Sequence, residues 1–170
     1  ETYFREKSGS ANNPIVRTQF DHYADIHQVN ALRTGRPAQG IIDDAIKFLT
    51  LERNPKKPFF MYLGIPAPHD PRWSLKQFRD MYDVEKMPFP ENYLPVHPWD
   101  IGTMTIRDEC LEKWPRTEDA IRRHVFDYYS IITAMDFDFG RLLDLMDEQG
   151  LNENTILVFT SDQGLALGQH

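Results

Sequence analysis

Cysteine is almost missing from this chain. Cys110 stands alone among 170 residues, so no internal disulfide can form and no cysteine-rich metal site exists. One thiol does not fix a redox compartment. Basic runs are absent as well: 19 Lys and Arg face 26 Asp and Glu, a formal net charge of −7. With no basic–aromatic alternation either, nucleic acid is excluded as the main partner. An anionic substrate stays open, provided its site supplies local positive charge. No stretch approaches the roughly 18 consecutive apolar residues of a membrane span. No signal peptide is visible, and the first residue is Glu1 rather than Met, which leads us to expect a piece of a longer or processed chain. Internal repeats and low-complexity segments are also lacking. What is present, 41% apolar residues and 12% aromatics, suffices for a core of one domain's size.

Two short apolar runs stand out. Phe59–Ile65 is bounded by Pro58 and Pro66, and Thr155–Thr160 is β-branched and apolar throughout. Each reads as a strand buried on both faces, the usual state in a parallel sheet covered by helices. Between and around them lie helical patterns. Ile41, Ile42, Ala45, Ile46 and Leu49 follow Pro37 at helical spacing as far as about Arg53. Trp73–Tyr82 suggests a short helix. Thr117 is an N-cap with Glu118 and Asp119 behind it, and Ile121, Val125, Tyr128, Ile132, Met135, Phe139, Leu142 and Met146 form a stripe that stops at Gly150. Pro88, Pro90, Pro95 and Pro98 make residues 86–117 a long proline-rich excursion over the surface.

The chemistry-bearing residues cluster after the two runs. Pro66-Ala-Pro-His-Asp-Pro71 follows the first, and its three prolines hold the backbone around His69. Ser161-Asp-Gln-Gly164 follows the second. Asp162 and Gln163 offer two hard oxygen donors suited to calcium or magnesium, although a turn aspartate capping the next segment would look the same. Strand, crossover, helix, strand makes the runs parallel members of one sheet. His69 and the Asp162–Gln163 pair are then expected on one rim, where α/β sheets bind ligands. That grouping suits hydrolysis of an anionic ester, with His69 donating a hydrogen bond or proton. Asp21, His22, Asp25 and His27 match no familiar metal spacing and read as surface residues. Cys110, among Asp108, Glu109 and Glu112, is not expected to be a reactive thiolate.

Taken in order, Phe59-Phe-Met-Tyr-Leu, Ala67-Pro-His-Asp-Pro71, Gly140-Arg-Leu-Leu-Asp144, Gly150-Leu-Asn-Glu-Asn-Thr155, Phe159-Thr-Ser-Asp-Gln-Gly164 and Leu167-Gly-Gln-His170 resemble the sulfatase family of the alkaline phosphatase superfamily. The loop and the ending look most like its iduronate-2-sulfatase type. The resemblance implies an α/β fold: part of an alkaline-phosphatase-like sheet, mostly parallel, with helices on its faces. Residues 1–170 would then be a single partial domain from the middle of a sulfatase catalytic domain. It further implies hydrolysis of sulfate monoesters on a carbohydrate or aryl carrier, with a divalent cation (Ca2+, or Mg2+) and a formylglycine nucleophile.

By the same resemblance His69 and His170 contact the sulfate, His69 catalytically, while Asp162 and Gln163 bind the metal. An extracytoplasmic location, periplasmic, secreted or lysosomal, also goes with the family. The C/S-x-P-x-R nucleophile motif is not found: Cys110 is followed by Leu111, Glu112, Lys113 and Trp114. The 170 residues by themselves are therefore expected to be inactive. Two alternatives remain, a phosphoesterase or phosphonate hydrolase of the same superfamily and a non-catalytic binding module. Gln163, where a two-zinc site would favour imidazole, argues against the first.

Overall fold

The computed structural model describes residues 15–16, 36–100, 102 and 110–169. The polar stretch 1–13, the Asp and His residues at 21–27, the acidic neighbours Asp108 and Glu109, and His170 lie outside the described residues.

Helix α1, Gln39–Lys47, starts just after Pro37 and its N-cap Ala38. It runs on into one wide turn, Phe48–Glu52, closed by Arg53 N–H donating to the Phe48 carbonyl at 2.9 Å. Strand β1, Ile15–Val16, pairs antiparallel with β2, Ser74–Leu75, with Ile15 opposite Leu75 and Val16 opposite Ser74. A single-turn helix α2, Lys76–Arg79, and a 3-10 turn, Val84–Lys86, follow. Helix α3, Glu118–Glu148, is the main element, and a 3-10 turn, Leu151–Asn154, comes after it.

Local chemistry sets the ends of α3. Thr117 Oγ1 accepts from the Ala120 N–H at 3.2 Å, a cap that stabilises by about 1 kcal/mol. Glu118 and Asp119 face the positive end of the helix dipole. Past the C-cap Gln149, Gly150 takes a left-handed φ of +64°, which ends the helix.

Two apolar cores sit on α3. Ala38, Ile42, Ala45 and Leu49 meet its Met135, Leu142 and Met146, with Phe59, Met61, Leu63 and Ile65 packed on them. Nearer the N-terminus, Ile121 and Val125 meet Met87, with Tyr82, Phe89, Tyr93 and Leu167 alongside. The start of the proline-rich excursion is thereby fastened to α3. Arg122 Nη1 donates to the Met87 carbonyl at 2.5 Å, and the Tyr93 hydroxyl donates to the Arg116 carbonyl. Among its described residues past Lys86 the excursion has neither helix nor strand, as its prolines dictate.

The expected stripe on α3 is buried or half-buried throughout. A second buried strip lies beside it: Asp127, Ser130, Ile131, Ala134 and Asp138. At about 100° per residue the two strips together cover about three-fifths of the helix circumference. The aspartates tolerate burial because they are paired, Asp127 with Arg79 and Asp138 with Arg36 and Arg141.

Three expectations need correction. The mostly parallel sheet is not formed among the described residues, whose only ladder is the short antiparallel β1–β2 pair. Phe59–Ile65 is extended but buried on one side only: Phe59, Met61, Leu63 and Ile65 face the core, while Phe60 and Tyr62 are 91% and 84% exposed. Thr155–Thr160 is extended and still more open, with Ile156 92% exposed. The physical reason is that an apolar run becomes a strand only where another backbone offers its N–H and C=O groups, and none does among the described residues. Finally, the helix expected over Trp73–Tyr82 shrinks to α2, because Ser74 and Leu75 are engaged by β1.

Candidate active site

Both segments singled out in the sequence lie along α3. The chain turns at Pro66–His69, where the His69 N–H donates to the Pro66 carbonyl at 3.0 Å. The Ala67–Pro68 and Asp70–Pro71 peptides are cis. His69 is exposed, and its Nδ1 lies 2.7 Å from the Asp70 carbonyl oxygen. A carbonyl can only accept, so Nδ1 carries the proton and Nε2 is the nitrogen left for a ligand.

Behind this turn stands Arg72, 3% exposed. Its Nε donates to Asp70 Oδ1 at 2.6 Å and its Nη1 to the His124 carbonyl of α3 at 2.9 Å. The guanidinium also sits 6.0 Å from the centre of the Tyr128 ring, within cation–π range. Beside it the His124 imidazole, 3.4 Å from Glu112, is held below the usual histidine range. Burial is the largest cause and the charge of Arg72 the next; Glu112, Asp127 and Asp70 pull the other way without prevailing.

The second segment returns along the same helix. Phe159 meets Phe139 edge-on at 5.3 Å between ring centres. Leu167 packs in the N-terminal core, and Gly168 lies against Ile121. Ser161–Gly164 therefore bridges two points of α3, at Phe139 and at Ile121, and the His69 turn is fastened between them at His124 and Tyr128. Positions 121, 124, 128 and 139 fall within an arc of about 60° on a regular helix. The residues that flank the loop and the turn are thus anchored on one face of α3. Both runs lead toward the N-terminal half of α3, but no ladder joins them among the described residues, so their expected pairing as parallel strands is not seen.

Asp162 and Gln163 are exposed, and Ser161 Oγ donates to the Gln163 carbonyl at 2.6 Å, closing the turn. Their oxygens suit a hard cation in kind. Two donors fall short of the six to eight oxygens calcium takes, and no group of three or more His, Cys, Asp or Glu side chains among the described residues could hold a metal ion. Cys110 is free and exposed.

Residues 3–170 match the Sulfatase family. The chain belongs to that family. Its relatives include an arylsulfatase of Clostridium perfringens, 33% identical over 169 residues, which are 99% of this chain and 34% of that protein. The iduronate 2-sulfatase of Mus musculus is 30% identical over 149 residues, covering 79% of this chain and 26% of that enzyme. An ulvan-active sulfatase of Formosa agariphila is 33% identical over 129 residues, 75% of this chain and 21% of that protein. The chain thus spans about a fifth to a third of the length of these relatives. No solved structure matches it. Sulfatase membership carries with it the alkaline phosphatase superfamily and its α/β fold, of which the described residues display the helices and one short strand pair.

Sequence reasoning missed Arg72, His124 and Tyr128. A signal for Arg72 existed: it lies two positions after Asp70 in a proline-stiffened stretch, a spacing that in extended backbone puts both side chains on one side. Nothing local marked His124, and Tyr128 was legible only as a member of the apolar stripe; both join the group only because the chain folds back onto α3.

Proposed function

We propose that the protein carrying this chain hydrolyses sulfate monoesters, on a carbohydrate or an aryl carrier. The supporting observation is that the residues flanking the His69 loop and the Asp162 turn are anchored on one face of α3 in a chain of the sulfatase family. His69, with its proton on Nδ1, presents Nε2 to the sulfate, and in its protonated form donates a hydrogen bond or proton to it. His170 is proposed as a second sulfate contact. The Asp162 carboxylate and the Gln163 amide oxygen are proposed ligands of a divalent cation, calcium in preference to magnesium, with further ligands from elsewhere in the protein. When bound, that ion would stabilise negative charge on the transferred group. The formylglycine nucleophile is proposed to come from outside these 170 residues, which by themselves would turn over no sulfate ester. An extracytoplasmic location is part of the same proposal.

The test compares the whole protein with its His69→Ala and Asp162→Asn variants on an aryl sulfate and on the matching aryl phosphate. Each substitution is expected to lower kcat/KM for the sulfate by roughly 100-fold or more. Faster turnover of the phosphate would move the protein to the phosphoesterases. Absence of turnover together with absence of calcium binding would make it a non-catalytic module.

A further inference from the structure

We propose that Arg72 is a positioning residue: it clamps the His69 turn to helix α3 and thereby fixes which ring nitrogen of His69 faces the substrate. The clamp has two ends on one side chain. Arg72 Nε holds Asp70 Oδ1 at 2.6 Å, and its Nη1 holds the His124 carbonyl at 2.9 Å. Asp70 is the same residue whose carbonyl accepts the hydrogen bond from His69 Nδ1–H at 2.7 Å. Orientation thus passes from α3 through Arg72 to Asp70, and from the Asp70 backbone to the imidazole. His69 itself is exposed, and among the described residues its ring makes no other hydrogen bond.

Burial makes the clamp stiff. Arg72 is 3% exposed and the Asp70 side chain 11%, so water competes little for either group, and charge-assisted bonds in such surroundings are strong and directional. The planar guanidinium is needed for geometry rather than charge. Its fork reaches the carboxylate and the carbonyl at once, while its central carbon lies 6.0 Å from the centre of the Tyr128 ring. A lysine ammonium could keep the Asp70 contact but could not reproduce the fork or the ring contact.

The catalytic half of this inference rests on the sulfate-ester reading of His69; the orientation half does not. The experiment therefore reads both in the whole protein: the His69 tautomer, by 15N imidazole NMR with the signal assigned through its loss in His69→Ala, and steady-state turnover of an aryl sulfate. Wild type is expected to carry the proton on Nδ1 of His69. Arg72→Met is expected to lose that preference and to lower kcat roughly 10- to 100-fold, as for a misplaced reacting group, with KM moving less than about threefold. Arg72→Lys should fall between, and Arg79→Met, which breaks another buried ion pair against α3, should leave the tautomer unchanged.

If Arg72→Met does not fold, Arg72→Lys and the wild-type tautomer still decide. A wild-type proton on Nε2, an unchanged tautomer in either Arg72 variant, or a change in KM alone would overturn the clamp. If wild type turns over no sulfate ester, the functional reading fails, and the tautomer still judges the clamp.

Discussion

His124 shows how the surroundings of one side chain reach the stability of the whole. Its imidazole is largely screened from water beside the Arg72 guanidinium, and both effects favour the neutral form; Glu112, Asp127 and Asp70 favour the charged one and are outweighed. The folded-state pKa therefore lies below that of the unfolded chain, about 6.5. Between those two values the unfolded state binds more protons, so stability rises with pH there. The contribution is complete above about pH 6.5 and is lost as pH falls from there through the depressed folded value. Urea unfolding of wild type and His124→Gln between pH 5 and pH 8 should show this: wild type loses stability on acidification, and the variant loses less. Equal slopes would mean that His124 is not held neutral. At the same scale the sequence was least legible for buried polar groups. Asp127 and Asp138 look like solvent-facing aspartates in a helix, yet they are 1% and 0% exposed. Only the arrival of Arg79, Arg36 and Arg141 makes their burial possible.

At the level of elements, α3 was readable from end to end because its determinants are local. Thr117 caps it, a 3.6-residue apolar period carries it, and Gly150 stops it. The segment returning along it depends on a contact that no local pattern shows. Gly168 has a φ of +94°, and a β-carbon there would stand 2.9 Å from Ile121 Cγ2 and 3.1 Å from Cδ1. Since Ile121 is branched and buried in the N-terminal core, it can yield little. Gly168→Ala is expected to destabilise the protein by roughly 1–3 kcal/mol, from backbone strain and overpacking together. It should also loosen the seat of the Asp162 turn. Thermal melts, with the loss partly relieved in Gly168→Ala combined with Ile121→Val, would check both effects; a neutral Gly168→Ala would show that the segment is not packed on α3 as described. Leu167, with φ of +51° beside it, is a second residue held in the left-handed region at this contact.

On the scale of the molecule, the two apolar runs are the unfinished part. Phe60, Tyr62, Ile156, Val158 and Phe159 are each more than 70% exposed, and the backbones of their segments have no ladder among the described residues. Extended apolar segments with unpaired edges associate. As a polypeptide of these 170 residues alone, the chain is expected to bind a hydrophobic dye and to sediment as more than a monomer. Phe60→Lys with Val158→Lys should reduce both; a monodisperse, dye-silent wild type would show the exposed runs to be covered. No helix among the described residues is long and apolar enough to cross a membrane, which accords with the 31-residue α3 being half polar rather than apolar all round.

By itself the sequence determined whatever depends on neighbours along the chain: the start and stop of α3, the course of α1, the irregular path forced by the prolines, and the order of motifs that marks a sulfatase. Tertiary structure alone decided which side chains meet. It put Arg72 between Asp70 and α3, buried two aspartates against arginines, and anchored the flanks of the His69 loop and of the Asp162 turn on one helix face. Capping, periodicity and proline act within a few residues, whereas burial and pairing are set by groups tens of positions apart that approach only once the chain has folded.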